Sequence, residues 1–470
     1  MKIVLLVPDG VAVRNYIYSD FIKELHQAHF EIILYHQIPE QAIQEIQNVQ
    51  GNRISQFHVI PGFKEGVLAR VVRESCSCAR IKYNATVLQN KTIPKFWNGK
   101  STNIKRFLLL RIAELIGSII SKKYSFILKF EKWYDLLISK NSITKSLEID
   151  LSKLQPDYIL NLHQRAVNTA PIIAAANKLN IKTGTVIFSW DNIPKARLVS
   201  RYDSYFVWSD LMKSELNTLY KEIQYPSIQI VGTPQFEFYF NNNFQINKED
   251  FFKFFNLNPN KKTVCFSAND ATSPYEANYL EDLCEEISKI DEVNRPQILF
   301  RRCPVDFSNR FDKVINAYPN LLFPVSPDWR IASVDQKAFI EIFPGFSDIS
   351  LLVNTVLHSD VVVNLGSTMA HDFAVYNKPC LYLNYDPVEN SSFKVCDVFA
   401  FQHFRSMEKL DAVGWINSKA VIMNKVQQAL DRPESIGSDR LKWLQKVVRH
   451  PLENNSRTLA NEIINLCTSV

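Results

Sequence analysis

The stretch from Asp360 to Asp386, D-V-V-V-N-L-G-S-T-M-A-H-D-F-A-V-Y-N-K-P-C-L-Y-L-N-Y-D, limits the folds open to this chain more than any other. Val361, Val362 and Val363 form a short β-branched run. Asn364, Leu365 and Gly366 make a turn, and Ser367 and Thr368 stand where N-cap residues stand. Helical spacing continues to Tyr376, and a second buried-looking strand follows Pro379. Strand, glycine turn, capped helix and strand make a unit of a parallel α/β sheet. The start of such a helix offers free backbone N–H groups and a positive dipole end, which suit a phosphate.

The pattern recurs along the chain. Residues 3 to 7 read as a buried strand, about Asn15 to Ala28 as an amphipathic helix and Phe30 to Tyr35 as the next strand, which makes a βαβ unit. Its first turn holds only Asp9-Gly10 and no G-x-G-x-x-G, so no dinucleotide site is expected there. Alternation resumes at Asp157, with strand ends near His163, at Ser189-Trp190-Asp191-Asn192 and at Gly232-Thr233-Pro234. The polar, aromatic stretch from Phe236 to Asn260 reads as a linker. A second block opens with a strand at Thr263–Ser267 and carries Q-I-L-F-R-R, a strand ending in Arg301 and Arg302. The expected fold class is α/β with two Rossmann-like domains: residues 1–245, with a helical insertion at about 100–150, and residues 246–450, followed by a helix within 451–470.

Several function classes drop out on composition. A net charge of +6 on 470 residues implies at most a basic patch, and with no Arg-rich run or RNA-module signature no nucleic-acid partner is expected. The eight cysteines are scattered, several within apolar runs, which fits a reducing, cytoplasmic compartment. The opening M-K-I-V-L-L-V reads as a first strand rather than a signal peptide, and no apolar run is long enough for a membrane span. Residues 104–140 are rich in Leu, Ile, Phe, Lys and Arg. Their apolar positions 108, 112, 115, 116, 119 and 120 recur at helical spacing, with the bases mostly off that stripe. Two readings stand: an insertion packing this stripe on the core, or a basic amphipathic surface resting on an anionic membrane, which would make the protein peripheral on the inner face.

The carboxyl ends of parallel strands point at the ligand cleft. That rule nominates Asp9, Arg14, His163, Trp190, Asp191 and Asn192 in the first half and Ser267, Asn269, Arg301 and Arg302 in the second. Asp191, then Asp9, then His163 are the candidates for a catalytic base, and the paired arginines could clamp a diphosphate. No clustering of His, Cys and carboxylates suggests a metal, and no cofactor is expected beyond the substrate itself.

Two α/β domains, a central linker and V-N-L-G-S-T-M-A-H-D-F-A-V-Y-N-K-P late in the second together resemble the GT-B glycosyltransferases, in particular those of bacterial surface-polysaccharide synthesis. The resemblance implies a cleft between the domains, a nucleotide-sugar donor on the second and a last helix crossing back to the first. It assigns Gly366, Ser367 and Thr368 to diphosphate and Asp372 to a sugar hydroxyl, and leaves Arg14, Trp190 and Asn192 to a glycan or lipid-linked acceptor. The same segment is similar to the CDP-glycerol glycerophosphotransferases in Asp372-Phe373, Lys378-Pro379 and Tyr385-Asp386. Sugar-nucleotide 2-epimerases share the implied fold, and a catalytically silent binding module of that fold is a further alternative. Retaining or inverting outcome is left open.

Overall fold

Apolar β-branched runs become the interiors of two parallel sheets. The computed structural model describes residues 1–270, 272–331, 342–391 and 393–468. The first sheet contains β1 (Lys2–Val7), β2 (Glu31–His36), β3 (Gln56–Val59), β4 (Tyr158–Asn161), β5 (Lys182–Val186), β6 (Ser204–Val207) and β7 (Ile228–Ile230). Their order is β3-β2-β1-β4-β5-β6-β7, all neighbours parallel, with Leu5 opposite both Leu34 and Leu160. The second contains β8 (Thr263–Ser267), β9 (Gln297–Arg301) and β10 (Leu322–Val325), then β13 (Val361–Asn364), β14 (Cys380–Leu383) and β15 (Gly414–Ile416). It runs β10-β9-β8-β13-β14-β15, while β11 (Trp329–Ile331) and β12 (Ile342–Pro344) form a separate antiparallel ribbon. Side chains such as Ile3, Leu5, Ile159, Val264 and Val362 are fully buried, each worth about 1.5–3 kcal/mol of transfer free energy. Both halves are therefore Rossmann-like, each with its own sheet.

Local departures from the sequence expectation have local causes. The single helix expected over 15–28 is broken into Gly10–Ala12, a π turn at Val13–Ile17 and Phe21–Gln27. Asp9 starts the run early by accepting from Val11 N at 3.1 Å, and Ser19 Oγ accepts from Phe21 N at 3.3 Å. The stretch expected to be a linker is well packed: Phe236, Phe238 and Tyr239 are buried, and Phe251 and Phe252 of helix Lys248–Phe254 join Leu299 and Val325. Residues 104–140 form two helices, Ile104–Ile120 and Tyr124–Ser139.

Two clasps hold the halves together. At one, Glu45 pairs with Arg330 at 3.1 Å and accepts from Phe346 N at 2.7 Å, while Tyr18 donates to the Pro344 carbonyl at 3.4 Å. Gly10 lies so close that a Cβ there would meet the Ile342 carbonyl oxygen at 2.4 Å. At the other, Lys95 pairs with Asp397, Phe96 stacks on Phe401 at 5.1 Å and Arg405 donates to the Leu88 carbonyl at 2.7 Å. The last helix, Asn455–Thr468, packs on Phe21–Gln27, and Ser456 donates to Glu237 at 2.5 Å. Among the described residues no helix is long and apolar enough to cross a membrane.

Candidate functional site in the cleft between the halves

Between the two sheets opens a cleft of about 980 Å³, lined from both halves. The turn after β13 forms part of its floor. Gly366 adopts φ +71°, and a Cβ on it would meet the Phe404 ring at 2.7 Å, so glycine is required twice over. Ser367 N donates to Asn364 Oδ1 at 2.8 Å and Ser367 Oγ accepts from Met369 N at 3.3 Å. The turn thus satisfies part of its own hydrogen bonding. Thr368, at the N-cap position of Met369–Val375, makes no capping bond and is exposed on the cleft. Asn269 ties the β8 loop to this turn by donating to the Leu365 carbonyl at 2.8 Å, and Ser267 lies beside it on the cleft. Arg310 braces the same loop through the Asn269 carbonyl at 2.8 Å and Asp306 at 2.8 Å.

Asp372 also lines the cleft and accepts from Tyr239 OH at 2.8 Å. Burial raises its pKa to about 6, against the pull of Tyr239, Arg14 and Arg301. Two arginines expected as an open clamp are largely occupied. Arg301 is 3% exposed and pairs with fully buried Asp348 at 3.1 Å, which leaves its Nη1 buried without a partner among the described residues. Arg302 donates to the Ser308 carbonyl and lies 3.6 Å from Asp312. Both border the cleft, but their charges are neutralised from within the second half.

The first-half wall corrects more of the strand-end assignments. Asp9 caps the turn after β1, pairs with His163 Nδ1 and is not among the cleft-lining residues; nor is His163, whose Nε2 is buried without a partner among the described residues. Trp190 is buried against His371, His403, Phe404 and Trp443, so it cements the halves instead of meeting a ligand. Asn192 is also buried: it donates to Asp191 at 2.9 Å and accepts from Arg165 at 3.1 Å. Asp191 does line the cleft, but Ser189, Asn192 and Lys195 occupy its oxygens. Burial would raise its pKa, yet Lys195 and His403 outweigh that and hold it well below the usual carboxylate range. A carboxylate so stabilised is a poor base.

What this wall offers is cationic. Arg14, Arg165 and Arg197 border the cleft, and among the described residues no ion pair engages any of them. Arg14 donates to Asn15 at 3.0 Å and lies 5.8 Å from the Trp329 ring centre. Burial pushes the Arg165 guanidinium pKa down, with Arg197 adding repulsion, and burial does the same to Arg197. In all, eight lysines and arginines line the cleft against four aspartates, so it favours an anion. Strand-end reasoning found Arg14 but missed Arg165, Arg197, Lys195 and His403. Arg165 follows the end of β4 closely, in H-Q-R, which is a signal that could have found it, whereas Lys195 and Arg197 come from the longer loop after β5, in I-P-K-A-R beyond Asn192. His403 comes from a 3-10 turn, Gln402–Met407, with no such mark; burial holds its pKa down to about 4. Among the described residues no group of three His, Cys, Asp or Glu side chains is placed to hold a metal.

No family model matches this chain, and no curated protein is similar to it. Solved structures are similar in fold. The UDP-GlcNAc 2-epimerase of Methanocaldococcus jannaschii aligns over 100% of this chain and 99% of its own at TM-score 0.52 and 12% identity. MnaA of S. aureus, solved with UDP, aligns over 100% and 97% at 0.52 and 12%. A glycosyltransferase of Rickettsia africae aligns over 99% and 97% at 0.51 and 11%. At these identities the likeness establishes the two-domain GT-B-like fold.

Proposed function

We propose that this protein is an enzyme acting on a nucleotide-diphosphate sugar, with the diphosphate held between the turn at Gly366–Thr368 and the arginines of the opposite wall. One observation carries the reading: Arg14, Arg165 and Arg197 are partly buried on the cleft and, among the described residues, none is in an ion pair, with Asp191, Asp9 and Glu74 attracting Arg165 and Arg197 only from a distance. Burying a charge is unfavourable unless something compensates it, and an anionic ligand in the cleft does so. Such preorganised cations stabilise a departing diphosphate, and the enclosing walls position the sugar. Asp372 lines the cleft, and burial raises its pKa to about 6, which makes it our candidate proton carrier in place of Asp9 and His163, which do not line the cleft. Thermal-shift screening against UDP, GDP, CMP and CDP tests the reading: one nucleoside diphosphate should raise Tm, and Arg165→Ala with Arg197→Ala should abolish the rise. No rise with any of them would end it.

For the reaction itself, the names of the fold neighbours back 2-epimerisation ahead of glycosyl transfer. Transfer to a glycan or lipid-linked acceptor has support of its own. The cleft is at the upper end of the usual ligand-pocket range, and its basic lining extends over both walls, which leaves room for a second substrate. Incubation with UDP-GlcNAc alone, followed by NMR, separates the two. A C2 epimer formed without acceptor supports epimerisation. An intact donor that releases UDP only once an acceptor is added supports transfer. Glycerophosphoryl transfer would appear as a preference for CDP in the thermal screen.

A further inference from the structure

Helix Ile104–Ile120 is inverted relative to an ordinary amphipathic helix. Its inward face is Leu110, Ala113, Gly117 and Ile120, all buried, and it packs on helix Val67–Val87. Gly117 permits that approach, since a Cβ there would meet Cys78 Cβ at 2.8 Å. The larger aliphatic residues face outward: Ile104 is 67% exposed, Leu108 54%, Ile112 50%, Leu115 68% and Ile119 63%. At about 100° per residue these five fall within an arc of about 80°, a continuous stripe some four turns long. Of the positions read as one stripe, 108, 112, 115 and 119 face outward, whereas Ile116 and Ile120 pack inward with Ala79 and Ile127, so the core-packing reading holds for only part of it. Helix Tyr124–Ser139 adds Phe126, Trp133 and Leu136, again exposed.

The charges around the stripe give its partner a sign. Lys105 and Arg111 flank it on either side of the helix, and Lys122 and Lys123 form the turn beyond its end. Lys123 and Lys129 lie 5.6 and 5.9 Å from the Phe126 ring centre. Of the bases on the two helices and their turn, Arg111 forms an ion pair, with Glu114 at 2.8 Å. The other acids are few: Glu131 turns inward to Arg80 and Arg201, and Asp135 is exposed.

From this we infer that the two helices form a docking face for an anionic lipid bilayer, with the aliphatic stripe entering the headgroup boundary and the lysines and arginines meeting lipid phosphates. A basic amphipathic helix lying in the interface plane has this arrangement of exposed apolar stripe and flanking cations. Lysine stems also bridge apolar and aqueous zones without desolvating the ammonium. A second copy of the chain is disfavoured, because a two-fold contact through this face would set its cations against themselves. The inference is independent of what the cleft binds.

Flotation of the full chain with vesicles tests it. Binding to phosphatidylglycerol-containing vesicles should exceed binding to pure phosphatidylcholine by about ten-fold or more and should weaken in high salt. The triple variant Leu108→Gln, Ile112→Gln and Leu115→Gln should lose most of that binding with its Tm unchanged, because all three side chains are exposed. Lys105→Gln with Lys122→Gln and Lys123→Gln should lose the preference for the anionic lipid. Failure of the wild type to float, or flotation of the triple variant equal to wild type, would overturn the proposal. So would a wild-type dimer in light scattering that the triple variant dissociates, or capture of a protein partner by this stripe in place of vesicles.

Discussion

The two walls of the cleft carry arginines under opposite conditions. On the second half Arg301 is paired with Asp348, Arg302 is near Asp312, and Arg310 is paired with Asp306 and Glu276. On the first half Arg14, Arg165 and Arg197 reach the same space without an ion pair among the described residues, and burial outweighs the distant pull of Asp191, Asp9 and Glu74 on the last two. The second set fixes loop geometry around the turn at Gly366, and the first set keeps its charge open. A cation at the carboxyl edge of a parallel sheet is thus near the cleft in either case. Whether its charge is available depends on what the neighbouring loop supplies.

The comparison can be broken most forcibly at Asp348. Asp348→Ala leaves Arg301 buried and unpaired, and urea unfolding should show a loss of about 3–5 kcal/mol. An unchanged midpoint would mean that Arg301 is not committed after all. The converse variant, Arg165→Ala with Arg197→Ala, should hold or raise stability while calorimetry shows nucleoside-diphosphate affinity falling on the order of 100-fold, since charged hydrogen bonds contribute about 1.5–3 kcal/mol each. Equal affinity would remove the first wall from the site. Thr368→Val deletes one neutral hydrogen-bonding group, for which a loss of about two- to ten-fold is expected by the same titration.

The smallest effect is on pH dependence. With its pKa raised to about 6, Asp372 is neutral below that pH and anionic above it. Ionised beside Arg14, it competes with a diphosphate for that guanidinium's charge. Affinity should therefore fall about three-fold as pH rises through about 6, relative to Asp372→Asn, which also cancels the ligand's own titration. Parallel profiles for the two proteins would show that the carboxylate does not face the diphosphate.

Much of the fold was legible because strands buried on both faces read as uninterrupted apolar runs: Ile3–Val7, Thr263–Ser267 and Val361–Val363 all lie in strands of the two sheets. The turn at Gly366 was legible for a related reason, since its φ and its contact with Phe404 both demand glycine. What was hidden depends on tertiary partners. Nothing adjacent to Arg301 in sequence announces Asp348, 47 positions away. The burial of Trp190 comes from Phe404 and Trp443 on the other half. The outward facing of Leu108 and Ile112 was equally unreadable, because periodicity identifies a stripe without saying which side meets the core; here Gly117 and Cys78 decide it.

The clasp at Gly10 has a consequence for timing. A turnover requires product to leave, and in hinged enzymes that exit often sets the rate. Gly10 sits where the first half presses on the other, and a Cβ there would meet Ile342 O, Phe343 Cα and Pro344 Cδ at 2.4, 2.8 and 3.0 Å. A single methyl group there would act as a shim. Gly10→Ala should prise this clasp apart and shorten the residence time of whatever the cleft holds, which stopped-flow release of a bound nucleotide would read.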